Sequence, residues 1–405
     1  MQRIGRIMKN FQHLCSWTTA LIFKSVKKRL LVVLCTLSIL YIILRWRLTC
    51  VDIHSQMQVQ RMCTTYAIGI SVGSLCHSLC KDSETTSVSC PTFYQATEVV
   101  SGNWPNQSVI YRNVAETNDL AHLDASGRTI FPSEEEFTNM IKNAVKLKFN
   151  ISISDVDARK MSYLQNKEDM LRQIEMQNVW SLLQDNEYLV FLLYEKYNIF
   201  PKLLGTCGNT YAVQKMQSIS GYWHLMTLYD SEHEWNKRIK TALMILDYLS
   251  ILEEKLPEPV YICDVKMSHF VFTSDLKKIV YQDVESIHPQ SMVNRITGGK
   301  SECEQHSDCD FMDCRSFCNL VSQKCDHGVV NNNLQIVCEK IFLGWVISGR
   351  VMVPGLLLGP RSPKVLVEML DLCANPERTQ GTPRAKASKE IRKRLYDLLS
   401  NLKLY

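Results

Sequence analysis

Between Leu30 and Leu44 the chain reads LLVVLCTLSILYIIL, an apolar run with no charge and no polar alternation. At about 1.5 Å per residue these 15 residues fall short of the ~20 that span a bilayer. Trp46 and Leu48 extend the run, and Arg45 and Arg47 can snorkel to an interface. Residues 50–90 show little apolar periodicity. Val109-Ile110-Tyr111 reads as a short strand, and Ser133 to Lys148 as a helix opened by Ser133 with Glu136 three residues on, a capping box. Residues 168–197 read as one longer helical stretch, its second half buried through Leu182, Leu183, Val190, Leu192 and Leu193. Pro201 to Met216 reads as two strands about a Cys-Gly-Asn turn. Trp235 to Lys255 is an amphipathic helix with Ile239, Leu243, Leu246, Leu249 and Leu252 on one face. Three short β-rich runs follow, at Val260 to Ile262, Val271-Phe272 and Lys278 to Tyr281, and the chain closes on a basic amphipathic stretch from Lys386 to Lys403.

The 405 residues allow two or three domains, and a composition of 46% hydrophobic and 21% charged residues excludes disorder over most of the length. The net charge of +5 is too balanced to argue for nucleic-acid binding. Its placement says more: residues 1–29 hold seven basic residues and no acidic one. A basic stretch followed by an apolar run reads as a signal anchor with the N-terminus in the cytoplasm. Everything after about residue 49 is then lumenal. A cleaved signal peptide is disfavoured by the long basic region and the lack of a small-x-small site. A buried core helix suits the flanking Lys27-Lys28-Arg29 less well. Fourteen of the 16 cysteines and both sequons, at Asn106 and Asn150, fall on the lumenal side.

The cysteines cluster. Cys50, Cys63, Cys76, Cys80 and Cys90 mark either a disulfide-stapled module or a stalk paired to the main body, because connectivity does not follow from sequence. Cys303, Cys309, Cys314, Cys318 and Cys325 fall within 23 residues, with Cys338 close behind. His306 and Asp308 are available as metal ligands, but the C-x-x-C spacing of zinc ribbons is absent. Disulfides ordering a polar loop are the simpler reading.

Asp264 and Asp283 each follow a hydrophobic strand and stand 19 positions apart, with a strand pair between them. That suits a β-hairpin presenting two carboxylates at one end. Phosphoryl transfer uses such a pair, one carboxylate orienting the attacking hydroxyl and the other holding a metal ion on the phosphates. Two Asp at strand ends are more often turn residues, so the surroundings decide. A helix carrying Glu187, a hairpin at 201–216, a long helix and then the two Asp runs follow the element order of a protein-kinase domain, where the helix Glu pairs with a strand Lys.

Over nearly its whole length the chain resembles the divergent protein kinase domain 1 family, cysteine-rich kinase-like proteins of the endoplasmic reticulum. The resemblance rests on the basic N-terminus and anchor, the Cys63, Cys76 and Cys80 spacings, VWSLLQDNEYLVFLL leading into PKLLGTCGNTYAV, and Cys263-Asp264. It also rests on the loop from Cys303 to Cys325 with Asp313-Cys314-Arg315-Ser316 at its centre. It implies an α+β, two-lobed protein-kinase-like fold with a disulfide-rich N-terminal lumenal segment and one N-terminal transmembrane helix. The expected divisions are a cytoplasmic tail 1–29, an anchor 30–48, a cysteine-rich lumenal segment 49–92, an N-lobe with an insertion 93–220, and a C-lobe 221–405. The cysteine-rich loop 303–325 stands there in place of most of the activation segment. It further implies a single-pass type II protein of the endoplasmic reticulum membrane, using ATP with Mg²⁺ or Mn²⁺ on a secretory-pathway protein or glycan, with no nucleic-acid partner.

Carried over from that family, Asp264 is the catalytic-loop Asp, Lys266 the Lys two positions beyond it, Asp283 the metal-binding Asp and Glu187 the helix Glu. Val284-Glu285 replaces Phe-Gly after Asp283. The catalytic-loop Asn falls on His269, whose nitrogen suits Mn²⁺ better than Mg²⁺. The strand Lys falls on Arg112, which neutralises phosphate with a different geometry. Ser101-Gly102-Asn103 is all that remains of a Gly-rich loop. The family also resembles a kinase domain carrying a calcium loop, here at about 149–175. Asp155-Val156-Asp157 opens it, but Lys160 and Asn166 stand where Gly and Glu are required, so no intact calcium site is expected. Two functional readings follow: a lumenal kinase, or a catalytically silent pseudokinase acting as a membrane-tethered scaffold.

Overall fold

The structure is a computed structural model that describes residues 33–42, 52–81, 99–104, 107–117, 119–123, 126–127, 129–165, 168–219, 231–273, 275–299, 302–347 and 350–402. Residues 33–42 are helical and exposed. The rest of the expected anchor lies outside the described residues, and among these no helix is long and apolar enough to cross a membrane.

Helices α1 (Asp52–Ala67) and α2 (Cys76–Lys81) come first, joined by the Cys63–Cys80 disulfide. A hairpin of β1 (Val99–Trp104) and β2 (Gln107–Asn113) follows, then the short pair β3 (His122–Leu123) and β4 (Thr129–Ile130). Helix α3 (Glu134–Phe149) begins at Ser133, whose hydroxyl accepts from the Glu136 amide while Glu136 accepts from the Ser133 amide. Its Phe137, Ile141, Val145 and Phe149, spaced by four, are fully buried.

Helix α4 (Asp155–Ser162) occupies the segment expected to open a calcium loop. Asp155 pairs with Lys142 of α3 and Asp157 accepts from the cap residue Ser154, so the first carboxylate ties two helices together and the second serves a helix start. The single helix expected over 168–197 is two, α5 (Asp169–Leu183) and α6 (Asn186–Tyr194). Asp185 breaks it by capping the Tyr188 amide at 2.8 Å. Strands β5 (Leu203–Cys207) and β6 (Thr210–Gln214) turn about Gly208, whose φ of 60° favours glycine. They complete an antiparallel sheet in the order β1-β2-β6-β5.

The strand alternation sorts the two faces of this sheet. Ile110, Tyr211 and Val213 face the main core, whereas Val109, Tyr111 and Ala212 pack with Met62, Leu75 and Leu79 of the N-terminal helices. A second disulfide, Cys76–Cys207, ties these helices to β5. Of the first cysteine cluster, Cys63 and Cys80 pair within the segment and Cys76 pairs with the main body, while Cys50 and Cys90 lie outside the described residues.

Strand β7 (Gln217–Ser218) leads to α7 (Glu232–Glu254), whose Ile239, Leu246, Leu249 and Leu252 are buried as its periodicity requires. Then come β8 (Val260–Ile262), β9 (Phe270–Phe272), β10 (Ile279–Tyr281), β11 (Ile287–Pro289) and α8 (Gln290–Gly298). The cysteine loop carries a small pair, β12 (Cys318–Asn319) and β13 (Lys324–Cys325), and is closed by Cys303–Cys318 and Cys309–Cys325. Its sulfurs are thus taken by disulfides. Helix α9 (Asn333–Ile336) runs into a π-helical turn, Val337–Leu343. A hairpin of β14 (Gly344–Ile347) and β15 (Arg350–Pro354), then α10 (Lys364–Ala374) and α11 (Lys389–Leu402), complete the fold. Cys338–Cys373 joins the π-turn to α10. One continuous core runs from Ile110 and Leu189 through Ile245 and Phe270 to Leu366 and Leu395.

Candidate functional site

Strand register places the first pair of candidates. Arg112 on β2 lies opposite Tyr211 on β6 and shares the face of Ile110. That face meets α6, whose first turn carries Glu187. The Arg112 guanidinium forms an ion pair with Glu187. The Tyr211 hydroxyl lies 3.2 Å from Glu187 and 3.3 Å from Asp185. Glu187 is only 4% exposed. Burial pushes its carboxyl up to about 8, against the Arg112 charge, and Asp283 and Asp185 push the same way. For Arg112, burial opposes the charge, but Glu187, Tyr211, Asp283 and Asp185 outweigh it and the pKa rises.

The second group comes from β8 to β10. Antiparallel pairing of Phe270 with Tyr281 closes the expected hairpin, and Asp264 and Asp283 flank it two residues beyond Ile262 and Tyr281. Tyr281 organises the end of the hairpin. Its hydroxyl donates to the Asp264 carbonyl, accepts from the Lys266 amide at 3.1 Å and lies 3.2 Å from His269 Nδ1. His269 Nδ1 is also 3.3 Å from Asp283 Oδ2. Burial lowers the His269 pKa against the pull of Asp283, which keeps a ring nitrogen free for a metal at neutral pH. Lys266 Nζ lies 2.6 Å from Asp264 Oδ2, and that hydrogen bond raises its pKa.

The two groups meet. Asp283 lies near enough to act through its charge on both Arg112 and Glu187. All six residues singled out from the sequence therefore converge. Tyr211, Asp185, Tyr281, Asp313 and Lys340 belong to the same neighbourhood and were not singled out for it. Asp313 stands in the quoted cysteine motif, but nothing in the spacing says that it folds back onto Asp264.

The donor set fits a divalent cation with an anionic ligand. Glu187 Oε1 and Arg112 Nε are buried with no hydrogen-bond partner among the described residues. Asp283 and Glu187 crowd two carboxyls together beside one guanidinium. Asp283, with 35% of its side chain exposed, and His269, with 19%, are open enough to bind a metal. A carboxylate with an imidazole suits Mn²⁺ better than Mg²⁺.

Element order and this convergence define a protein with a kinase-like domain. A family model described as the protein-kinase domain of FAM69 matches residues 179–376, and one described as the N-terminal cysteine-rich endoplasmic-reticulum region of FAM69 matches residues 22–162. The chain belongs to the FAM69 family. Arg112 lies in the range of the second model and Glu187 in that of the first, so their ion pair joins the two regions. A solved structure of the Rv3197–erythromycin complex from Mycobacterium tuberculosis is 11% identical and covers 75% of this chain and 69% of that one. Its TM-score is 0.23.

Proposed function

We propose that this protein is a membrane-tethered, lumenal phosphotransferase of the secretory pathway, using ATP with Mn²⁺ or Mg²⁺ on a secretory-pathway protein or glycan. In this reading the four-stranded sheet with α6 is the smaller of two lobes, the part from α7 onward is the larger, and the protein crosses the endoplasmic reticulum membrane once as a type II anchor. One observation carries the reading: Arg112 on β2 pairs with Glu187 on α6, and Asp283, 3.3 Å from His269 on the separate β8–β10 segment, bears on that pair by its charge.

Bound nucleotide and metal would supply the transferable phosphoryl group and the charge that steadies it. Arg112, oriented by Glu187, binds the phosphates. Asp283 and His269 hold the metal. Asp264 accepts the proton of the substrate hydroxyl, and Lys266 neutralises charge beside it. A second reading, a catalytically silent pseudokinase acting as a membrane-tethered binding or scaffold module, is favoured by the Lys266 contact that occupies Asp264 Oδ2.

The test is a thermal-shift titration of the full-length, disulfide-intact protein with ATP and Mn²⁺ or Mg²⁺, followed by phosphoryl-transfer assays. At 100 times Kd the ligand should stabilise by about 2.7 kcal/mol, only with metal present, and Asp283→Ala should abolish the shift. Binding without turnover selects the scaffold. No shift at millimolar ATP overturns the phosphotransferase reading and leaves the scaffold.

A further inference from the structure

The loop carrying Asp264 is gripped at each of four amides. Ile262 donates to Asn333 Oδ1 at 2.9 Å, Cys263 to the Ser286 carbonyl at 3.0 Å, and Lys266 to the Tyr281 hydroxyl at 3.1 Å. The Val265 amide, immediately after Asp264, donates to Asp313 Oδ2 at 2.8 Å. Among these four acceptors Asp313 alone is a carboxylate, and it alone comes from the cysteine loop. Its own amide donates back to the Cys263 carbonyl at 2.8 Å, and the next residue closes the Cys263–Cys314 disulfide.

Asp313 is itself held. Lys340 Nζ lies 2.7 Å from the same oxygen. Two residues on, Arg315 makes a bidentate pair with Glu339, at 2.7 and 2.9 Å. Asp313 and Arg315 thus meet the consecutive pair Glu339 and Lys340 on the π-helical turn. π-turns occur often at functional sites. Asp313 Oδ2 already serves two donors, and its side chain is 14% exposed against 26% for Asp264 and 35% for Asp283. That argues against a direct role on substrate or metal.

We infer that Asp313 is a positioning residue: anchored by Lys340, it fixes the Val265 peptide and through it the Asp264 carboxylate. The rate effect of this role rests on the phosphotransferase reading, whereas the structural effect does not. Both Cys263 and Cys314 are buried, so their disulfide is a permanent staple that brings Asp313 to the loop, and the carboxylate sets the final geometry.

The experiment compares wild type, Asp313→Ala, Asp313→Asn and Lys340→Met in the full-length protein. Hydrogen exchange by mass spectrometry over 261–267 should quicken at least tenfold in Asp313→Ala, with exchange in α3 unchanged. Asp313→Asn keeps an acceptor for Val265 but loses the ionic anchor, and it and Lys340→Met should fall between. In turnover, kcat should drop by about a hundredfold, the cost of misplacing a reacting group by about 1 Å, with the KM for ATP within twofold. Exchange over 261–267 within twofold of wild type in Asp313→Ala would overturn the inference, leaving the disulfide as sufficient. So would kcat and KM changing together in step with a loss of melting temperature, in Asp313→Asn if the alanine variant does not fold. A wild type without turnover sinks the phosphotransferase reading by itself, and the exchange result still decides whether Asp313 holds the loop.

Discussion

His288 sits on β11 with its ring 5.6 Å from Phe149 on one side and 5.6 Å from Phe311 on the other. It is 5% exposed, and its buried Nδ1 has no hydrogen-bond partner among the described residues. Burial alone pushes its pKa down from 6.5 to about 4. In the unfolded chain the imidazole takes up its proton near pH 6.5, whereas the folded protein resists until near pH 4. The unfolded state therefore binds more protons across that window, and stability falls as the pH falls through it. A shift of this size corresponds to about 3 kcal/mol. Chemical denaturation of wild type and His288→Phe between pH 7 and pH 4 should show a loss of about that size in wild type that the variant lacks. Equal losses in both would assign the acid sensitivity to other groups.

At the scale of elements, the amphipathic helices were legible because their periodicity is local. The face of α7 and the capping box of α3 stand where spacing puts them, and so do the hairpins at 203–214 and 270–281. The break between α5 and α6 was not legible. Apolar residues continue across it, and Asp185 reads as one more polar position until its side chain turns back to cap Tyr188. That break matters, because the Asp185 cap starts α6 at Asn186 and so brings Glu187 into the first turn, facing Arg112. Asp185→Ala should cost about 1 kcal/mol in denaturant unfolding and Asp185→Asn only a few tenths, since Asn caps nearly as well. An equal cost for both would mean that its charge near Arg112 matters more than the cap. The contacts of Asp313 were illegible for a different reason. Its sequence separation from Val265 is 48, and only the folded cysteine loop closes it.

Across the whole molecule, the N-terminal helices are part of the body that bears the site. The Leu75 amide donates to the Thr206 carbonyl at 2.9 Å, and the Gly208 amide to the Val72 carbonyl at 3.0 Å. Gly73 makes the approach feasible, because a Cβ there would stand 2.1 Å from the Thr206 carbonyl oxygen. The opposite face of the same sheet presents Arg112 to Glu187, so whatever loosens β5 and β6 reaches the ion pair through Tyr211. Cys76–Cys207 secures this docking across a separation of 131 residues, in the range where removing a crosslink costs about 2–5 kcal/mol. Cys63–Cys80 spans 17 residues within the module and makes no link to the sheet. Replacing Cys76 and Cys207 together by Ser should therefore lower the melting temperature more than replacing Cys63 and Cys80. It should also quicken hydrogen exchange in both α2 and β5. If exchange quickens in α2 alone, the N-terminal helices are an independent cap. If the two pairs prove equivalent in melting, the backbone contacts at Val72 and Leu75 suffice to hold the module on the sheet.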